Sequence, residues 1–279
     1  MIQVLLPCCK ADESQAMALL SWIAQMGQVD APLFILCDSG CQVKHLVSLG
    51  EKAFTKVQWL ADYENILSDW NTQGNQPKSA AGPNSLFRQA IWHFANTKEP
   101  WLFLEPDAIP CRPDWLTMLD KEYHARQKPF MGFLVSRETH PGVTAQHMSG
   151  VAVYPANSPA YFRKTILASN TAFDIATASS VLEHMHNTSL IFHRYRPPTF
   201  ADQEDFEGRV SKDLAIYHAC KDGSIYPFLR NRLDLSAPQR VGEVQLDEPL
   251  PSKQTVAGSI PVTHSPVWEF KNGSLQIAA

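Results

Sequence analysis

The stretch Trp101-Leu102-Phe103-Leu104-Glu105-Pro106-Asp107 places four apolar residues directly before two carboxylates that flank one proline. A short, uninterrupted apolar run is typical of a strand that is buried on both faces of a parallel sheet. Pro106 lacks the N–H that a sheet ladder needs, so the strand is expected to end there. Glu105 and Asp107 would then project from the carboxyl edge of the sheet, where open α/β folds bind ligands.

Two carboxylates this close together repel each other unless a cation lies between them. The pair therefore predicts a divalent-metal site at the end of a central strand. The alternative is an ordinary helix entry, in which Asp107 caps a turn and Asp114 caps the helix that follows. The residues alone leave both interpretations open.

The composition of the 279-residue chain is that of a globular protein, with 44% hydrophobic and 19% charged residues. This length is sufficient to bury a full core, as one large domain or as a domain with an appended lobe. The net charge of −4 provides no overall basic field for nucleic acid or an anionic membrane, although a local basic cleft is compatible with it. No apolar run approaches the roughly 18 residues that a membrane span needs.

The N-terminus and the cysteines indicate a cytoplasmic protein. Residues 1–6 lack the basic n-region of a signal peptide and have the pattern of a first strand. The cysteines show no CxxC pair, so the spacing indicates neither a zinc ribbon nor a disulfide framework. Reduced thiols in a cytoplasm are the simpler interpretation. The six are Cys8, Cys9, Cys37, Cys41, Cys111 and Cys220.

Strands and helices alternate through the first part of the chain, which indicates a parallel sheet. Strands are predicted at 2–6, 32–37, 57–60 and 101–104, and helices at 13–26, 43–49, 85–96 and from Asp114 to about 125. Residues 61–84 are polar and irregular, which is long for a connection within a compact domain and favours a functional loop.

The later part of the chain is less regular. Strands are predicted at 130–135 and 150–154, on either side of a polar loop at 138–149, and again at 190–193 and 214–218. Helices are predicted at 159–167 and around 179–186. From residue 237 onwards, proline and polar residues dominate, which is typical of a partly ordered arm.

This order of elements, with a strand ending in a carboxylate-x-carboxylate pair, resembles the GT-A fold of nucleotide-sugar glycosyltransferases. Their signature is Asp-x-Asp, the DXD motif, where this chain has Glu105-Pro106-Asp107. Residues 103–110 are similar to bacterial and phage members of the group. The segment His218-Ala219-Cys220-Lys221 resembles a C-terminal region of these enzymes in which a histidine completes the metal shell and a lysine reaches the diphosphate. The resemblance covers about residues 1–230.

The resemblance implies an α/β, Rossmann-like GT-A fold with a mostly parallel central sheet flanked by helices. One glycosyltransferase domain would span residues 1–235, with a nucleotide-binding half at 1–125 and an acceptor half at 126–235. Residues 236–279 would form an irregular C-terminal arm.

The activity implied is metal-dependent transfer of a hexosyl or pentosyl group from a nucleotide-diphosphate sugar to a hydroxyl acceptor. The acceptor could be a glycan, a protein side chain, a small molecule or a hydroxymethylated base of phage-type DNA. A nucleotidyltransferase of similar fold and a non-catalytic α/β nucleotide-binding module are the alternatives. Nucleotidyltransferases carry a glycine-rich basic loop after the first strand, which Pro7-Cys8-Cys9-Lys10 lacks.

The metal ligands implied by the resemblance are Glu105, Asp107 and His218, with His264 as the rival histidine. A divalent cation held by carboxylate oxygens neutralises the charge of a departing nucleotide diphosphate. The cation would be Mn²⁺ or Mg²⁺, and an imidazole ligand favours Mn²⁺.

The donor contacts implied by the resemblance lie at the ends of the first two strands, before the acidic strand, and in the later half. Lys221 and Arg88 would hold phosphates, and Gly150 would permit close approach of a ligand. A turn cap at Asp38 and a surface position for Arg88 are the plainer alternatives. The complete set is Pro7, Cys8, Lys10, Asp12, Asp38, Asn84, Arg88, Gly150 and Lys221.

An inverting transferase also needs a general base for the acceptor hydroxyl. The carboxylates in the later half that could serve are Asp174, Glu183 and Asp205, the last within an acidic run with Asp202 and Glu204. A retaining enzyme would need none of them if the leaving phosphate takes the proton.

Overall fold

The computed structural model describes residues 1–37, 40–61, 78–140, 143–162, 171–194, 212–221, 223–235, 268–271 and 274–277. The chain forms two compact units, Met1–Pro238 and Gln239–Ala279. No helix among the described residues is both long enough and apolar enough to cross a membrane.

Alternating strands and helices build the first half of the larger unit. They are β1 (Gln3–Cys8), α1 (Glu13–Met26), β2 (Val29–Cys37), α2 (Val43–Ala53), β3 (Phe54–Ala61), α3 (Lys78–Phe94) and β4 (Trp101–Phe103).

Shorter elements follow in the second half, apart from one long hairpin. They are β5 (Ala108–Pro110), α4 (Trp115–Arg126), β6 (Phe130–His140), β7 (Val143–Tyr154), α5 (Pro159–Phe162), α6 (Phe173–Ala176), α7 (Ala178–Val181), a 3-10 turn (Leu182–His184), β8 (Met185–Asn187), β9 (Ile191–His193), β10 (Ile216–His218) and α8 (Ile225–Arg232).

The central sheet has seven strands in the order β3-β2-β1-β4-β7-β6-β8. β3, β2, β1 and β4 are mutually parallel, β7 is antiparallel to both β4 and β6, and β8 is parallel to β6. The mostly parallel sheet flanked by helices is therefore confirmed. A second sheet has three short strands in the order β5-β10-β9. Its first strand, β5, follows β4 directly in the chain.

Both faces of the central sheet are buried, as the uninterrupted apolar runs predict. Val4 and Leu6 on β1 belong to a core cluster that also contains buried residues of α1 and α2. Leu5, between them, belongs to a second cluster rich in aromatic rings from α3 and β4. In that cluster, the ring of Phe87 stacks on that of Phe173 at a centroid distance of 3.9 Å. The two clusters hold β4 firmly from both sides, immediately before the acidic pair.

Several element boundaries differ from the expectations. Residues 78–84, expected in an irregular connection, form the first turns of α3. Most of 138–149, expected as a loop, is strand, because β6 and β7 continue as a hairpin whose backbone groups pair with each other whatever the side chains are. The helix expected around 179–186 ends at Val181, and residues 185–187 form β8 beside β6. The expected helix at 159–167 is described only over Pro159–Phe162.

The smaller unit contains an antiparallel hairpin, β11 (Trp268–Lys271) and β12 (Ser274–Ile277), in which Trp268 pairs with Ile277. The C-terminal arm was expected to be irregular, and this hairpin is regular structure within it.

Candidate metal and donor site

A proline turn at the end of β4 positions the two carboxylates. β4 ends at Phe103, and the Ala108 N–H donates to the Glu105 carbonyl at 2.9 Å. Pro106 is the second residue of this four-residue turn, where its fixed φ is favourable. β5 begins at Ala108, so the turn is held between two buried strands.

Strand pairing brings His218 to this turn. β10 runs antiparallel to β5 with His218 opposite Ala108. The His218 Nε2 lies 3.2 Å from Glu105 Oε2 and 3.4 Å from Asp107 Oδ1. One ligand atom from each of the three side chains lies within 4.8 Å of the others. The three residues that the resemblance implied as ligands therefore converge, although 111 positions separate Asp107 from His218 in the sequence.

The backbone after His218 is tied to the same turn. The Asp107 carbonyl accepts hydrogen bonds from the N–H groups of Ala219 at 3.2 Å and Cys220 at 3.3 Å. Ala219 has a φ of 79°, a left-handed conformation that costs an L-residue about 1–2 kcal/mol. The two hydrogen bonds offset that cost and hold the segment leading to Lys221 beside Asp107.

A buried serine contacts His218 on the side of the ring that faces away from the carboxylates. The Ser149 hydroxyl lies 2.9 Å from His193 Nδ1 and 3.3 Å from His218 Nδ1, and the serine is fully buried. β9 and β10 are parallel with His193 opposite His218, and the two rings lie 4.3 Å apart. A hydrogen bond at Nδ1 fixes the ring so that Nε2 faces the carboxylates.

Sequence reasoning did not assign His193 or Ser149 to this site. One available signal was that two short apolar strands, Ile191-Phe192-His193 and Ile216-Tyr217-His218, both end in histidine.

Gly150 lies inside β7, not at a strand start, and it leaves room for Glu105. A Cβ at this position would lie 2.8 Å from Glu105 Oε1 and 2.9 Å from Phe173 Cζ. The close approach that glycine was expected to permit is made here by a carboxylate of the same chain. Only glycine allows the Glu105 carboxylate to lie against this strand.

The electrostatics of the cluster favour positive charge between the carboxylates. Burial alone would lower the pKa of His218, but hydrogen bonds to Asp107 and Glu105 raise it to about 10. Burial would raise the pKa of Asp107, but the His218 partner and Lys221 keep it below its usual value. Burial and the neighbouring His218 lower the pKa of His193 to about 3, so that ring stays neutral. The position between Glu105 and Asp107 thus attracts positive charge, which the protonated His218 supplies; a metal ion bound there would take the place of its Nε2 proton.

Asp174 is the catalytic candidate that lies beside the cluster. Burial raises its pKa, and repulsion from the Glu105 carboxylate raises it further. Its Oδ2 lies 3.5 Å from His147 Nε2, and both side chains are largely buried. Phe173, the preceding residue, packs over Gly150.

Glu183 lies at the opposite edge of the sheet. It precedes β8, whose first residue, Met185, pairs with the first residue of β6. The structure does not bring this exposed carboxylate to the cluster.

The donor candidates at the end of β1 surround a short connection to α1. Pro7 and Cys8 are buried in β1, while Lys10 is exposed and pairs with Glu13 at 2.5 Å. Asp12 accepts the N–H of Cys9 at 2.6 Å, and burial, with a contribution from Asp107, raises its pKa.

Asn84 and Arg88 lie on successive turns of α3. Asn84 is buried and donates to the Thr171 carbonyl at 2.9 Å, and within the described part of the chain its Oδ1 finds no partner. Arg88 is half-buried on the same helix. The hydrogen bond to Thr171 therefore fixes the Asn84 side chain, and its Oδ1 is available as an acceptor.

Lys221 is exposed at the rim of a cavity of about 360 Å³. The cavity shares Pro106 with the acidic turn, and Gln15 Nε2 donates to the Lys221 carbonyl across it at 2.6 Å. The first turn of α1 forms another wall through Ser14 and Gln15. A helix N-terminus and a lysine on one cavity favour an anionic group such as a phosphate.

Some sequence candidates lie outside the described residues: Asp38, Asp202, Glu204, Asp205 and His264.

The fold was compared with solved structures. Galactosyltransferase LgtC in complex with donor and acceptor sugar analogs is 10% identical, covers 85% of this chain and 98% of its own, and superposes with a TM-score of 0.51. The bifunctional glycosyltransferase WbbM, in its apo form, is 8% identical and covers 78% of this chain and 45% of its own, with a TM-score of 0.51. Both are GT-A glycosyltransferases.

The chain has the GT-A fold. The expected fold class is thereby confirmed. No protein-family model and no curated protein matches the sequence. Similarity near 10% identity establishes the GT-A fold and not the substrate, since one fold hosts many acceptors. The activity is therefore argued from the side chains at the carboxyl edge of the sheet.

Proposed function

We propose that this protein is a metal-dependent glycosyltransferase that moves a sugar from a nucleotide-diphosphate donor to a hydroxyl acceptor. The observation that carries the proposal is the convergence of Glu105, Asp107 and His218 at the carboxyl edge of the sheet in a GT-A fold. This edge is where open α/β sheets bind their ligands.

The three side chains fit a divalent cation. Ligands at about 2.1 Å on neighbouring octahedral positions are about 3.0 Å apart, and His218 Nε2 lies 3.2 and 3.4 Å from the two carboxylate oxygens. Two carboxylates and one imidazole suit Mn²⁺ better than Mg²⁺, because imidazole prefers the softer ion. Three protein ligands also leave coordination positions for phosphate oxygens.

When bound, the cation would offset the negative charge that develops on the departing diphosphate. Lys221 would contribute a point charge to the same phosphates from the cavity rim, where its ammonium already acts on Asp107. The first turn of α1 would donate N–H groups to the diphosphate. Arg88 and Asn84 on α3 would contact the donor from the other side.

Asp174 is the proposed acceptor-side base for an inverting transfer. As the acceptor oxygen bonds to the sugar, its proton would pass to the Asp174 carboxylate, and the nucleotide diphosphate would leave. His147, at 3.5 Å, would hold this carboxylate in place. The acceptor can be a glycan, a protein side chain, a small molecule or a hydroxymethylated DNA base, since each offers a hydroxyl.

Donor hydrolysis over a panel of UDP- and GDP-sugars, with Mn²⁺ or with a chelator, tests the proposal. The Glu105→Gln/Asp107→Asn variant should lose the Mn²⁺-dependent hydrolysis by about 100-fold or more, because two of the three ligands are gone. The matched control is Asp30→Asn/Glu51→Gln, which removes two exposed carboxylates away from the cluster. This control should keep wild-type activity.

The alternatives predict different results. A nucleotidyltransferase would release pyrophosphate from a nucleoside triphosphate and a sugar 1-phosphate. A nucleotide-binding module would bind UDP or GDP in calorimetry with no effect of Mn²⁺ and would hydrolyse no donor. If neither UDP nor GDP binds and Mn²⁺ changes nothing, the proposed function is wrong.

A further inference from the structure

Three cysteines converge at the carboxyl edge of the sheet, outside the acidic cluster. They are Cys8, Cys37 and Cys41, and their Sγ atoms lie within 4.8 Å of one another. Their exposed fractions are 0%, 1% and 8%, and all three are reduced. The spacing of the cysteines in the sequence does not predict this cluster, because 29 positions separate Cys8 from Cys37.

Strand register creates the cluster. β1 and β2 are parallel neighbours with Cys8 directly opposite Cys37, and each cysteine is the last residue of its strand. Cys41 lies two residues before α2 and brings a third sulfur back to the same point. The segment is held there independently, because the Gln42 N–H donates to the Glu13 carboxylate of α1.

The cluster is poorly suited to thiol chemistry as it stands. Hydrogen bonding of the protonated Cys8 thiol with Cys37 and Cys41, together with burial, raises its pKa far above the ordinary value. A protonated thiol in an apolar core is a weak nucleophile. All three cysteines belong to the hydrophobic core cluster on the α1 and α2 face of the sheet.

We propose that Cys8, Cys37 and Cys41 form a structural zinc site. Thiolates are ligands that zinc binds in proteins, at Zn–S distances of about 2.3 Å. Sulfurs around such an ion are about 3.8 Å apart, which the observed cluster accommodates. Each of the three thiols gives its proton to solvent as the ion binds, and water takes the fourth position beside Cys41, the least buried of the three.

Charge selects zinc over a monovalent soft ion. Three thiolates around Zn²⁺ leave one net negative charge, whereas the same ligands around Cu⁺ leave two. Burying net charge is costly, so the dication is the better occupant of a site this enclosed. The ion would join the end of β1, the end of β2 and the start of α2.

Zinc content measured by mass spectrometry tests the site. The protein carries no histidine tag and has the Glu105→Gln/Asp107→Asn background, so that the acidic cluster cannot contribute zinc. A stoichiometric amount of zinc should accompany this protein, and Cys41→Ser should lose it. Cys111→Ser is the matched control, since Cys111 is also a buried cysteine, 2% exposed, and lies outside the cluster, and it should retain the metal.

A second measurement needs no cysteine variant. Replacing zinc by Co²⁺ in the same background should produce an intense near-ultraviolet sulfur-to-cobalt charge-transfer band, and chelation should remove it together with several degrees of thermal stability. Only trace zinc, equal zinc in the Cys41→Ser variant, copper in place of zinc, or no charge-transfer band would each overturn the proposal. None of these results bears on the glycosyltransferase activity, so the two proposals fail separately.

Discussion

Replacing Gly150 by alanine should weaken metal binding while leaving the protein folded. The new Cβ would lie 2.8 Å from Glu105 Oε1, and ordinary contact begins at 3.4 Å, so the carboxylate must retreat by 0.6 Å (3.4 − 2.8). Metal–ligand distances tolerate only about 0.2 Å. Disturbing a ligand to this extent typically costs about 10- to 100-fold in metal affinity, or about 1.4–2.7 kcal/mol.

The same substitution also strains the core, because the Phe173 ring lies 2.9 Å from the new Cβ and is stacked on Phe87. Overpacking of this kind costs about 1–3 kcal/mol. Gly132→Ala on β6 is the matched control. Its Cβ would lie 2.8 Å from both Ala152 Cβ and Met148 Cγ, so it overpacks the same sheet without contacting Glu105.

Mn²⁺ titration followed by the electron paramagnetic resonance of free Mn²⁺ measures affinity, and circular dichroism measures the melting temperature. Both variants should melt below the wild type, and only Gly150→Ala should bind Mn²⁺ more weakly. Wild-type Mn²⁺ affinity in folded Gly150→Ala would show that Glu105 is not a ligand. An equal loss in Gly132→Ala would show that overpacking, and not the Glu105 displacement, is the cause.

Two further predictions concern buried polar groups. Ser149→Ala should lower the free energy of unfolding by about 1–3 kcal/mol, because it leaves the Nδ1 atoms of His193 and His218 without their shared hydroxyl. Denaturant unfolding measures this, and an unchanged midpoint would contradict the hydrogen bonds. Burial against Phe34 lowers the pKa of His93 from its ordinary 6.5, so the unfolded chain binds a proton that the folded chain resists. The contribution of His93 to stability should therefore be full above pH 6.5 and fall as the pH drops below it, by at most about 1.4 kcal/mol per pH unit. His93→Gln should remove this part of the slope in unfolding titrations between about pH 5 and 8, measured as the difference from the wild type.

The pattern of the sequence was sufficient for the parallel part of the central sheet because its signals are local. Windows of about ten to fifteen residues contain the apolar runs of β1, β2 and β4 and the helical spacing of α1. The alternation of strands and helices predicts a parallel sheet. Glu105 and Asp107 were identifiable for the same reason, since they directly follow one of those runs. The second half was less predictable, because a hairpin such as β6–β7 is stabilised by cross-strand hydrogen bonds and tolerates polar side chains that resemble a loop.

The resemblance implied His218 or His264 as the completion of the acidic pair, and the tertiary structure places His218 beside it. Glu105-Pro106-Asp107 predicts a cation site, but the pairing of β5 with β10 supplies His218, and the pairing of β9 with β10 adds His193. The bridging Ser149 comes from β7 of the central sheet. The convergence of Cys8 with Cys37 likewise depends on the register of β1 against β2. Such contacts join residues distant in the chain, and register is fixed by the packing of whole sheet faces, so no local window of sequence contains them.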